Sequence, residues 1–113
     1  MEMKVHLHSD VFEIVKNGKK DIEVRINDEK RRKLNIGDTL VFLKRPLEDE
    51  EIRAKVVGLE YYDFFENLVD HYDMERIYLE GYTKEEYLNE MKRFYTREEQ
   101  EQYGVVAIIF EKE

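Results

Sequence analysis

Apolar and polar residues alternate at the start of the chain, with Met3, Val5 and Leu7 set against Lys4, His6 and His8. A period of two is that of a strand with one buried face. The period then lengthens. Ser9 stands where a helix cap belongs, Phe12, Ile14 and Val15 supply an apolar side, and Gly18 is a stop signal, so a short helix is predicted. Alternation returns from Asp21 to Ile26, with Ile22, Val24 and Ile26 on one face and Lys19, Asp21, Glu23 and Arg25 on the other. Asn27-Asp28 breaks this strand and opens a basic helical turn to Leu34. Gly37-Asp38 turns the chain into a strand from Thr39 to Leu43, which Pro46 ends. The acidic run Glu48 to Glu51 reads as an exposed hairpin loop before a strand from Ile52 to about Leu59.

The second half reads as helical until its end. Asp63-x-x-Glu66 has the form of a capping box, followed by Phe64, Phe65, Leu68, Val69 and Tyr72 on one stripe. Thr83-x-x-Glu86 caps a second helix with Tyr87, Leu88, Met91, Phe94 and Tyr95 inward, and Thr96-x-x-Glu99 starts a short third. Val105 to Phe110 is the longest apolar run and closes the chain as a buried strand. Short strands without crossover helices, and helices inserted before the last strand, predict an α+β fold. Its expected form is a small, partly open β-barrel of five to six strands with peripheral helices. No repeat, linker or low-complexity segment divides residues 1–113, so one domain is expected.

Length and composition narrow the function. A chain of 113 residues buries roughly 65% of its unfolded surface, enough for a core without disulfides or a structural metal. With no cysteine, disulfide frameworks, thiolate metal sites and a cysteine nucleophile all drop out, and a reducing cytoplasm is the expected setting. No run approaches the roughly 18 apolar residues of a membrane span, so no membrane association is expected. Charged residues make up 41% of the chain, a density that points to a thermophilic source. The net charge of −8 argues against nucleic acid until its distribution is considered. Residues 16–45 carry ten basic and five acidic side chains, whereas residues 58–113 carry six basic and fifteen acidic ones. One lobe can meet an anion; the same asymmetry also arises from solvated faces alone.

Candidate chemistry is sparse. The five glycines are isolated, so no loop cradles a triphosphate, and Ser9, the only serine, is accounted for as a cap. No cofactor is expected. His6 and His8 share a strand face and can reach one metal, with His71 or a carboxylate completing the set. Lys4 beside them and the lack of a third ligand at close spacing leave a metal unexpected. The helix aromatics read as a core stripe, and all eight tyrosines fall in the acidic half, away from the cations with which a single-strand groove interleaves them. The segment Lys19 to Arg25 stands apart. Its charges opposite three β-branched residues form either cross-strand ion pairs or a ligand-contacting edge. In the second reading Lys20 and Arg25 hold an anion or a carbonyl oxygen, and Glu23 accepts from a base edge or positions a water.

The string from Phe12 through Gly18, Lys20 and Glu23 to Arg25 resembles the signature of the ASCH domain, in the PUA-like superfamily. The similarity continues through Asn27-Asp28 and Gly37-Asp38 to the terminal Tyr103-Gly104 strand. The resemblance implies a β-barrel with peripheral helices and an RNA- or nucleotide-binding cleft beside the Lys-Glu-Arg strand. Lys19, Lys20, Glu23, Arg25, Asn27 and Arg31 are its expected contacts. Some small ASCH proteins are amidohydrolases that deacetylate N4-acetylcytidine with a lysine, a threonine three residues later and a glutamate ahead of the later helix. Carried over, the lysine falls on Lys20 and the glutamate on Glu80, while Glu23 stands in the threonine position. A carboxylate cannot replace a hydroxyl nucleophile, though it can act as base for a water. A regular strand also puts Lys20 and Glu23 on opposite faces, so their cooperation requires a bulge or a turn at Lys20. A ribonuclease-like activity is the third function that the resemblance implies, but the sequence offers no histidine pair well placed for it. The expected partner is RNA or a nucleoside or nucleotide, bound by a monomer.

Overall fold

The computed structural model describes all 113 residues. Five strands form one sheet in the order β1-β3-β4-β5-β2. They are β1 (Glu2–Leu7), β2 (Ile22–Ile26), β3 (Thr39–Lys44), β4 (Glu51–Tyr62) and β5 (Val105–Lys112). The sheet curls into a half-barrel, with β1 parallel to β3 and every other pairing antiparallel. Helix α1 (Ser9–Lys16) follows β1. Four further helices lie between β4 and β5: α2 (Phe65–Val69), α3 (Met74–Ile77), α4 (Lys84–Phe94) and α5 (Arg97–Tyr103). The α+β half-barrel with helices inserted before the last strand is therefore the observed architecture, with five strands.

Two apolar clusters flank the sheet. Met3, Val5 and Leu7 alternate inward as their spacing predicts and join Phe12, Leu40, Phe42, Val56 and Phe110 in the barrel interior. Phe42 and Phe110 meet there at a ring separation of 4.9 Å. On the other side Ile22, Val24 and Ile26 pack with Phe65, Leu68, Ile77 and Tyr87. β4 runs to Tyr62, beyond its predicted end, because Glu60, Tyr61 and Tyr62 pair with Ala107, Val106 and Val105. A register shift between Val56 and Gly58 bends it, and a side chain at Gly58 would meet Ile109 at 3.1 Å.

Three local expectations are corrected. α1 begins at Ser9 itself with His8 as its N-cap, so Ser9 is not the cap. The predicted Asp63–Glu66 box does not form: α2 starts at Phe65, whose N–H donates to the Gln100 Oε1 at 3.1 Å, and Glu66 pairs with Arg97 at 2.6 Å. A tertiary acceptor replaces the local one, and the helix stops at Val69 before reaching Tyr72. Phe94, assigned to the inward stripe of α4, is 58% exposed at the helix end. The Thr83 and Thr96 capping boxes both form as predicted, each threonine hydroxyl accepting from the N–H of the glutamate three residues on at 3.1 Å.

Candidate functional site

The sheet order leaves β1 and β2 as its two edges. Between them the chain must turn out of α1 and into β2, and Gly18 does so at φ 84°, a conformation costly for a residue with a Cβ. Because β2 starts only at Ile22, Lys20 sits in irregular backbone and escapes the strand's alternation. Its Nζ comes within 3.3 Å of the Glu23 Oε1. The turn supplies the cooperation that a continuous strand would have forbidden.

Both side chains are buried, Lys20 at 4% and Glu23 at 4% exposure. Of the face expected to be open, Glu23 is therefore enclosed, while Asp21 and Arg25 are half-buried and Lys19 is exposed. The Lys20 ammonium donates to the carbonyl of Ile77 at 2.9 Å, to the carbonyl of Ile22, and to Glu23, which uses its three N–H groups. Ile77 is the last residue of α3, so one of these bonds satisfies a carbonyl that the helix leaves unpaired. The Glu23 Oε2 accepts from the Arg25 Nε at 2.6 Å, and the Arg25 Nη2 reaches the His6 carbonyl at 3.5 Å across the seam between the two edge strands. Burial pushes the Lys20 pKa down, against the opposing pull of Glu23. Burial alone would push the Glu23 carboxyl up, but Arg25 and Lys20 together outweigh it and hold the acid below its ordinary range. The triad is thus a carboxylate between two cations in a nearly dry setting.

A cleft of about 390 Å³ opens over this triad, a size suited to a small organic ligand. One wall is the end of β1 at His6 and Leu7 with His8 after it; the other comes from Ile77-Tyr78, from Tyr87, Met91 and Phe94 of α4, and from Tyr95 just beyond that helix. Burial raises the pKa of Tyr87 and of Tyr95; Glu23 adds to the rise in both, and Arg25 opposes it at Tyr95, so both stay neutral phenols. These aromatics were assigned to the core stripe alone. The signal that marks them is their type, since a tyrosine on an inward stripe carries a hydroxyl that needs a partner. His6 and His8, set aside as poorly placed, both line the same cleft, with the His6 Nε2 2.5 Å from the Glu48 Oε1. His71 lies elsewhere, its ring 5.1 Å from that of Tyr62.

Of the expected contacts, the cleft gathers Lys20, Glu23 and Arg25. Lys19 points outward and pairs with Glu80 at 2.9 Å on the surface, in a separate depression, so neither residue lines the cleft. Asp21, which shares the predicted face, is held by Arg76 through two bonds of 2.9 and 3.3 Å. Arg31 is near enough for Arg25 and Glu23 to act on its pKa, which burial lowers first. Asn27 lines a larger hollow of about 750 Å³ at the other end of β2, whose acidic residues include Asp63 and Glu101 and which lacks the triad. The charged triad singles out the smaller cleft, since both hollows carry aromatic side chains.

Comparison with known proteins agrees with this architecture. The ASCH domain model matches residues 5–113, and the chain belongs to the ASCH domain family. It is similar to the crystal structure of the hypothetical protein PH0355, with 32% identity over 100% of both chains and a TM-score of 0.88. Protein PF0455 from Pyrococcus furiosus, known in solution by NMR, shares 31% identity over 99% of this chain and 97% of its own, with a TM-score of 0.79. An ASCH protein from Zymomonas mobilis shares the fold, with a TM-score of 0.61 at 15% identity over 97% of this chain and 66% of its own. No curated protein matches the chain.

Proposed function

We propose that this ASCH protein binds RNA or a nucleotide, taking a base into the cleft above Lys20, Glu23 and Arg25. The observation that carries the reading is the pairing of a fixed carboxylate–guanidinium edge with an aromatic wall in one cleft of nucleoside size. A base has flat faces and a hydrogen-bonding rim. Tyr95 and the exposed ring of Phe94 suit the faces. Glu23 uses one lone pair of each oxygen on Lys20 and Arg25 and keeps acceptor capacity for an amino group on the rim.

Deacylation of an N-acylated cytosine nucleoside is the second reading, favoured by one observation, a lysine whose pKa burial lowers beside a carboxylate. Against it stand the three bonds that occupy the Lys20 protons, the carboxylate in the threonine position, and the Glu80 carboxylate spent on Lys19 outside the cleft. Binding without turnover fits the geometry better.

The test is a titration of the labelled protein with cytidine, N4-acetylcytidine and a short single-stranded RNA, reading amide shifts and the acetyl signal together. Shifts centred on Lys20 to Arg25 and on Tyr95, weakened about tenfold or more by Phe94→Ala, are expected from the loss of one stacking face. Silence there from every ligand would return the triad to a purely structural ion cluster. Free acetate that disappears with Glu23→Gln would promote the second reading.

A further inference from the structure

We propose that the hollow at the far end of β2 is a second nucleotide-binding groove, so that the ligand is a strand of RNA running along β2. This rests on the reading of the cleft as a base pocket.

The backbone links the two places. Asn27 continues the β2 register, its N–H donating to the Gly104 carbonyl at 2.9 Å. Alternation therefore puts Glu23, Arg25 and Asn27 on one side of the chain, about 13 Å from first to last at roughly 3.3 Å per residue. A single nucleoside in the cleft cannot reach Asn27; a strand can.

The groove itself has the chemistry of base recognition. Asn27, Asn67 and Gln102 bring side-chain amides to it, the group that matches a base edge with one donor and one acceptor. The Asn27 Oδ1 is buried with no partner, so a donor is missing from the groove floor. Tyr61 stands 59% exposed at the rim, and Phe64 and Tyr103 line the same wall. Arginines already lie over two of these rings, Arg97 at 3.5 Å from the Phe64 centroid and Arg32 at 5.7 Å from that of Tyr103. Gly104 also lines the groove, and only glycine suits it there, since a Cβ would meet the Tyr62 carbonyl at 3.0 Å and the φ is 71°.

Cations stand between the two sites. The basic turn Arg31–Lys33 follows Asn27, and Arg32 is tied to the groove by bonds to the carbonyls of Asn27 at 2.8 Å and Tyr103 at 3.3 Å. Arg31 has only a loose ion pair with Asp28, at 3.9 Å, while Arg25 acts on it as a like charge and its Nε is buried without a partner. Two guanidiniums so placed are eased by an anion, and a phosphate linking the two bases supplies it. Lys30 and Lys33 are exposed beside them. Asp63 and Glu101, which also line the groove, repel phosphate, and this favours a strand with its backbone on the turn and its bases in the groove.

The experiment compares the four ribonucleoside monophosphates with the four homopolymeric RNA hexamers, by amide shifts and affinity at several salt concentrations. The best hexamer is expected to bind at least about tenfold tighter than its monophosphate, one further stacked base accounting for that much. It should also shift Asn27, Arg31 to Lys33 and Tyr103 in addition to Lys20 to Arg25. Tyr61→Ala, at an exposed ring, should weaken the hexamer about tenfold and leave the monophosphate unchanged, with an unaltered melting curve. Arg31→Ala should flatten the salt dependence of hexamer binding only. Equal affinities, with shifts confined to the cleft, would overturn the second groove while leaving the cleft reading intact. Groove shifts with Lys20 to Arg25 silent would overturn the cleft reading and the continuous path together.

Discussion

Lys19 and Lys20 are neighbours of identical chemistry, each paired with a glutamate, and the structure treats them in opposite ways. Lys19 meets Glu80 at the surface, where the hydrogen bond and charge of that carboxylate raise its pKa. Lys20 meets Glu23 in the interior, where burial lowers its pKa despite the partner. The surface pair is screened by water and salt and orders two long side chains for little return. The buried pair has surrendered hydration, and only a partner for every Lys20 N–H and for each Glu23 oxygen makes it tolerable: two carbonyls and Glu23 around Lys20, two cations around Glu23. Such a cluster holds its geometry whether or not a ligand is present, whereas the surface pair can be lost without consequence. A fixed carboxylate is what a base-binding cleft needs.

The sharpest way to break this comparison is to remove Glu23. Glu23→Ala leaves the buried Lys20 and the half-buried Arg25 facing one another and is expected to cost about 3–5 kcal/mol in urea unfolding. A loss within experimental error would place Glu23 with the surface charges. Next in size is the coupling. A double-mutant cycle of Lys20→Met and Glu23→Gln should give an interaction of about 1–3 kcal/mol, whereas the same cycle on Lys19 and Glu80 should give none. Equal couplings would dissolve the distinction. Acid sharpens it further. The folded-state pKa of Glu23 lies below its ordinary value of 4.5, so in that interval the unfolded chain binds more protons than the folded one. The stability that Glu23 contributes is therefore present above about pH 4.5 and lost as the pH falls through the folded value, and Glu23→Gln should flatten this part of the stability profile. A wild-type profile that matched the variant's would show that the carboxylate gains nothing from its neighbours. The smallest expected effect is that of Glu80→Gln, which should leave the melting temperature and nucleotide affinity unchanged, since Glu80 lies outside the cleft.

Much of the fold was legible because it is written in local periods. Met3, Val5 and Leu7 alternate, Thr83 and Thr96 sit three residues before glutamates, and Val105 to Phe110 is apolar throughout. Each needs only its own neighbours. The Asp63–Glu66 box failed for the converse reason. Gln100, 35 residues away, accepts from the Phe65 N–H, and no local rule anticipates a partner at that distance. The site was half legible. Lys20, Glu23 and Arg25 were picked out by residue type and spacing, but the strand's alternation set Lys20 apart from the other two. Tyr87 of α4 and Tyr95 at its end looked like core because helical periodicity marks a face without saying what covers it. The covering element is the charged edge of β2, which converts part of that face into a cleft wall.

The sequence by itself determined the α+β half-barrel pattern, the Thr83 and Thr96 caps, and the charged segment on which the chemistry rests, since periodicity, cap residues and charge are properties of neighbours along the chain. Only the tertiary structure decided which lysine is buried and which glutamate it meets. The turn at Gly18 swings Lys20 out of the strand's alternation and under Ile77, and leaves Lys19 in water. Burial depends on which surfaces the whole chain brings together, and that is not a local quantity.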